Sequence, residues 1–177
     1  DCILGDANLI NVGSSGYMTD SIAYTPVSSW TSGVSAILGY WKKNGDSIEI
    51  SGRVNVTGTP TTAQLTIALP VGLTIDTTKM PATGDMTNSV GTWNGFAASS
   101  FYLGTVSANS TTTIFFAVNA SGNVVTQASP ATWANTNYLS FQAKIPIVGW
   151  TTNQTAVTAN QITYPTVQKF TSGSGTY

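Results

Sequence analysis

From Ser21 onward, apolar and polar residues alternate in short runs, broken by turn residues at roughly 8–12-position intervals. The clearest hairpin joins Val34–Lys43 to Ser47–Val56 through Asn44–Gly45, a pair suited to a type I′ turn. After that turn Ile48, Ile50, Val54 and Val56 fall on one face, and Glu49, Ser51, Arg53 and Asn55 on the other. Period two of this kind marks a strand with one wet face. Leu65, Ile67 and Leu69 repeat the pattern until Pro70, which lacks the amide donor a ladder needs. Residues 114–118 are apolar on both faces and belong in the middle of a sheet, with a short return strand expected at Val124–Thr126. In the last strong run Leu139, Phe141, Ala143, Ile145 and Ile147 face inward, while Tyr138, Ser140, Gln142 and Lys144 face water. Pro146 marks the end of that strand or an edge position.

The expected fold is all-β: an antiparallel, jelly-roll-like β-sandwich of eight or nine strands over residues 21–150. The predicted core is Ile48, Ile50, Val54, Val56, Leu65, Ile67, Leu69, Ile114, Phe116, Leu139, Phe141 and Ile145. Residues 1–20, rich in Gly and Asn, read as an arm or linker. Residues 151–177 read as a low-complexity tail, or a linker to a further module.

Composition narrows the function classes. The 177 residues carry a net charge of −1 and are only 7 % charged, whereas a typical soluble domain is about 25 % charged. Thr (29) and Ser (19) dominate, and Leu occurs only eight times, which argues against helices. Six scattered cations cannot neutralise a phosphate track, so no nucleic-acid partner is expected. No apolar run approaches the ~20 residues of a bilayer span, so no membrane insertion is expected. The single cysteine, Cys2, permits no internal disulfide. Residues 86–143, between Asp85 and Lys144, contain no formal charge at all. Strands without charged guards are expected to be covered by another copy of the chain.

His is absent, and with it the commonest general base and metal ligand. Asp46 and Glu49 flank a turn, and Asp76 and Asp85 frame a loop; all four read as turn and surface residues rather than as an acid–base pair. No catalytic residue, cofactor or metal ligand is expected. Trp93 in GTWNGF and Trp133 in PATWANTNY stand among small polar residues, as in loops. An indole face beside amide groups suits a sugar, so Trp93, Asn94, Trp133 and Asn135 form the candidate ligand site. Trp30, Trp41 and Trp150 read as packing residues.

The ordered set YTPVSSW (24–30), GYWKKNGDSIEISGRV (39–54), LTIALPVGLTIDTTK (65–79), FYLGTV (101–106) and FQAKIPIVGW (141–150) resembles the β-rich domains of phage and prophage tail-fibre proteins. Lys42 and Lys43 stand where an Arg is usual in that pattern. The resemblance implies a homo-oligomer, a trimer foremost, on the virion surface, attaching to a host-surface glycan or other receptor. Two alternatives remain open: a secreted cellular carbohydrate-binding module or adhesin, and a purely structural capsid fibre or decoration protein.

Overall fold

The computed structural model describes residues 20–151, except 36, 81–82, 85–87 and 119–121. Both predicted arms therefore lie outside the described residues, apart from their innermost positions. Nine strands form: β1 (Ile22–Tyr24), β2 (Leu38–Asn44), β3 (Ser47–Asn55), β4 (Thr66–Ala68), β5 (Ser89–Ala97), β6 (Ser100–Ala108), β7 (Thr113–Val118), β8 (Asn123–Val124) and β9 (Tyr138–Pro146). The only helical element among the described residues is one 3₁₀ turn, Thr77–Lys79, in which the Asp76 side chain caps the turn by accepting from Thr78 N at 3.1 Å.

All nine strands belong to one antiparallel sheet ordered β1-β2-β3-β9-β5-β6-β7-β4, with β8 added to β7. The all-β antiparallel class expected from the sequence is thus present, as a single hydrogen-bonded path rather than two separate sheets. That path bends back on itself. The segment just after β1 pairs with β4 at the far end, through Ser29 N to Thr66 O (3.0 Å) and Ala68 N to Val27 O (2.8 Å). Phe116 on β7 and Phe141 on β9 also meet edge to face at 5.3 Å, although two strands separate them along the path. A flat sheet would hold them about 14 Å apart at ~4.8 Å per strand step, so the sheet must curl round them.

All twelve predicted core residues are buried on the concave side. The pleat explains the agreement, because an alternating run exposes only one set of side chains. Pro146 does close β9, which is an interior strand between β3 and β5. The first hairpin differs from the expectation by one residue. Asn44 pairs with Ser47, so Gly45 and Asp46 form the loop, and of the two only Gly45 has positive φ (64°). That is the signature of a type II′ turn, which wants Gly first.

One cross-strand row governs the interior. Register places Tyr24, Gly39, Gly52, Phe141, Trp93, Gly104 and Val118 side by side across seven strands. Each glycine lies under a neighbouring ring. A Cβ on Gly39 would lie 2.6 Å from Tyr24 Cε1, on Gly52 2.7 Å from Phe141 Cζ, and on Gly104 2.6 Å from Trp93 Cε2. The aromatic rings therefore lie across the sheet, filling space their neighbours leave empty.

Two predictions follow from this packing. Phe141→Ala should lose ~3–5 kcal/mol of unfolding free energy through lost transfer and a cavity, and Gly104→Ala should lose roughly 3 kcal/mol or more through overpacking. Urea denaturation of both variants checks this. The second concerns Tyr24, whose buried hydroxyl has no hydrogen-bond partner among the described residues and whose pKa burial pushes from 10.0 up to about 12. The unfolded phenol ionises first, so this group leaves stability unchanged below pH 10 and erodes it as pH rises toward 12. Tyr24→Phe should be at least as stable as the parent at pH 7 and should flatten that alkaline decline in pH-dependent melting.

Candidate binding face

The structure removes the two tryptophans from the ligand site expected for them. Trp93 is not in a loop but in the middle of β5, on its inward face and 2 % exposed. Its Nε1 donates to the Ala117 carbonyl at 2.8 Å, passing over Gly104. Trp133 does lie in a loop but is fully buried, donating from Nε1 to the Ser129 carbonyl (3.2 Å) and meeting Trp30 edge to face at 5.8 Å. Trp30 in turn donates to Ala63 O at 2.9 Å. A buried indole whose N–H is already bonded has no face for a sugar. The polar neighbours that suggested a loop, Thr92 and Asn94, are simply the outward residues of β5. Trp41 and Trp150 pack against the core as expected.

The other two predicted residues remain exposed but are not part of a tryptophan site. Asn94 projects from the outer face of β5, opposite Ser140 of β9 and Leu103 of β6. Asn135 is exposed in the turn leading to β9, where the Asn137 side chain accepts from Ala134 N at 2.7 Å.

The residues around Asn94 belong to an open outer face built from β2, β3, β9, β5 and β6. Its rows follow from register. The first is Asn55–Tyr138–Phe96–Phe101, the second Leu38–Arg53–Ser140–Asn94–Leu103, the third Tyr40–Ser51–Gln142–Thr92–Thr105, and the fourth Lys42–Glu49–Lys144. The first row is an aromatic ladder: Phe96 lies 5.1 Å from Phe101, and 6.3 Å from Tyr138 in a stacked arrangement. The Arg53 guanidinium covers Tyr138 at 3.9 Å. Phe101 (75 %) and Leu103 (68 %), two residues apart on β6, are strongly exposed, an apolar patch of the kind that marks a contact surface, while Leu38 (64 %) is exposed at the opposite margin on β2.

Below the ladder the surface becomes neutral and polar, then charged. A groove of about 590 Å³ runs over Tyr40, Ser51, Thr92 and Gln142 to Lys42, Glu49 and Lys144. A second hollow of about 530 Å³ shares Val90 and Lys144 with it and continues to Asp46 and Lys79.

The carboxylates here are held ionised. Glu49 sits below its ordinary pKa because it accepts from Lys42 (2.9 Å) and Asn44. Asp46 is lowered by Lys79 (2.9 Å) and Ser47 (2.8 Å), and Asp76 by its bonds to Thr78. A general acid needs the opposite shift. Asp85 lies outside the described residues, and among those described no group of acidic or cysteine residues could hold a metal.

The residues that sequence reasoning missed are Phe96 and Phe101. The alternation turns both Arg53 and Tyr138 outward, and the β3–β9 pairing brings them together. Comparison of the chain with family models, with curated proteins and with solved structures gives no match.

Trp93→Ala and Trp133→Ala should each cost ~3–5 kcal/mol of stability, as truncations of buried aromatics do. The check is thermal melting, in which both variants should fall by more than ten degrees or fail to fold.

Proposed function

We propose that this chain is an attachment domain of a virion appendage of the tail-fibre kind, holding a host-surface glycan on the outer face of β3, β9, β5 and β6. The observation that carries the reading is the ladder Tyr138–Phe96–Phe101 beside the neutral donors and acceptors Ser140, Asn94, Gln142, Ser51 and Thr92. Ring faces pack on the C–H surface of a sugar, while amides and hydroxyls fix its orientation through paired donors and acceptors. The placement on interior strands fixes these groups in advance, which reduces the ordering entropy of binding. What supports the virion setting is the resemblance of the five ordered motifs to tail-fibre domains.

Assembly with further copies belongs to the same proposal. Every charged residue described in β1–β9 and the connecting 3₁₀ turn lies on β2, β3, β9, the β2–β3 turn or that 3₁₀ turn with its Asp76 cap, and none lies on β5–β8. Three copies are the expected number, closed about a symmetry axis. A purely structural reading is favoured by one feature, the exposure of Phe101 and Leu103 at the β6 margin, where a second copy could sit.

Single variants separate these readings. Tyr138→Ala should reduce attachment to host cells at least tenfold, leaving the light-scattering mass at a multiple of 18.4 kDa and the melting temperature within a few degrees. Unchanged attachment in Tyr138→Ala, with Phe101→Ser dissociating the assembly, would make this face a subunit contact. A mass of one subunit for the parent chain would reject assembly.

A further inference from the structure

The outer face concentrates positive charge on a chain whose net charge is −1. Lys42, Arg53 and Lys144 stand on it, against a single acid, Glu49. Glu49 is engaged by Lys42 at 2.9 Å and by Asn44, and feels Lys144, opposite it in register, only as a longer-range charge. The face therefore carries a surplus of two positive charges. Neither Arg53 nor Lys144 forms an ion pair among the described residues.

The two cations are placed differently. Arg53 is fixed: its plane rests on Tyr138 at 3.9 Å and its Nε donates to Asn55 Oδ1 at 2.8 Å, with the terminal nitrogens uncommitted within the described protein. A stacked, weakly hydrated guanidinium is preorganised for a planar carboxylate. Lys144 is an exposed point charge where the two hollows meet. Arg53 registers with Ser140, so along β9 the cations stand four residues apart, roughly 13 Å at ~3.3 Å per residue. Between them lie Ser51 and Gln142, flanked on β5 by Asn94 and Thr92, a floor without charge.

We propose that the ligand of this face is an acidic oligosaccharide laid along the strand direction, with carboxylates of its uronic or sialic acid residues held by Arg53 and Lys144 and a sugar ring seated on the aromatic ladder. The proposal rests on the glycan reading above and narrows it to a charge class. Charge complementarity selects this occupant. A neutral glycan would leave both cations unused, and a uniformly dense polyanion would set negative groups against Glu49.

The test is a printed panel of neutral oligosaccharides and of oligosaccharides bearing uronic or sialic acid, probed with the parent chain, Arg53→Gln, Lys144→Gln and Tyr138→Ala at 50 and 500 mM NaCl. A single-stranded oligonucleotide serves as a polyanion control. The expected hits are acidic members, weakened about tenfold at high salt as the ion contacts are screened. Arg53→Gln and Lys144→Gln should each lower acidic binding about tenfold, the loss typical of one charge-assisted hydrogen bond, with melting temperatures unchanged. Tyr138→Ala should lose all hits. Binding confined to neutral members, or acidic binding indifferent to both cation variants, overturns the proposal while leaving the glycan reading intact. No hits at all removes the glycan reading and the proposal with it. Equal binding of the oligonucleotide makes the face a general polyanion surface and also overturns the proposal.

Discussion

The seating of Trp93 over Gly104 is the contact on which the rest of this structure depends. The indole must cross β6 to deliver its N–H to the Ala117 carbonyl on β7 at 2.8 Å, and only a residue without a side chain lets it pass. An indole N–H left unbonded in a core would cost the desolvation of a polar group, so shape and hydrogen bond are satisfied together or not at all. The same exchange recurs along the row, with Phe141 across Gly52 and Tyr24 across Gly39. Three rings laid sideways fill a volume that upright aliphatic side chains would fill in an ordinary sheet. They complete an interior that is otherwise built largely from Ile and Val.

Laying the large aromatics inward also determines what remains outside. Because Trp93, Gly95 and Ala97 face the core, Thr92, Asn94 and Phe96 must face out, and the pleat leaves no other choice. Gly95 has its own role, since a Cβ there would approach both Trp93 and Trp133 at 3.2 Å. The interior and the outer face are thus two readings of the same strands. The outer row of aromatics is held in register by the inner one.

How much of this was legible in the sequence follows from which signals were local. β3, β4 and β9 are plain because alternation of apolar and polar residues identifies them, and β7 because it is a continuous apolar run. β5 is not, because its inward positions are Trp, Gly and Ala, a mixture that reads as loop composition. Its hairpin to β6 was hidden for a second reason. The turn is Ala98–Ser99, both at positive φ (47° and 62°), in place of the Asn or Gly that normally signals such a bend. Trp93 consequently reads as a surface residue. Arg53 and Tyr138 were correctly turned toward water, yet their stacking depends on β9 inserting between β3 and β5 from far along the chain. Pairings of that range leave no trace in any short window.

The bond between the segment after β1 and β4 has a further consequence. Proteins displayed in many copies at close quarters meet one another at very high local concentration, where any unsatisfied strand edge becomes a template for growth. Here the outer edge of β4 is met by the segment that follows β1, through Ser29, Thr66, Val27 and Ala68. Backbone groups of β4 that would otherwise invite strand addition are thereby spent within the chain. At that edge a neighbouring strand finds no free ladder to join.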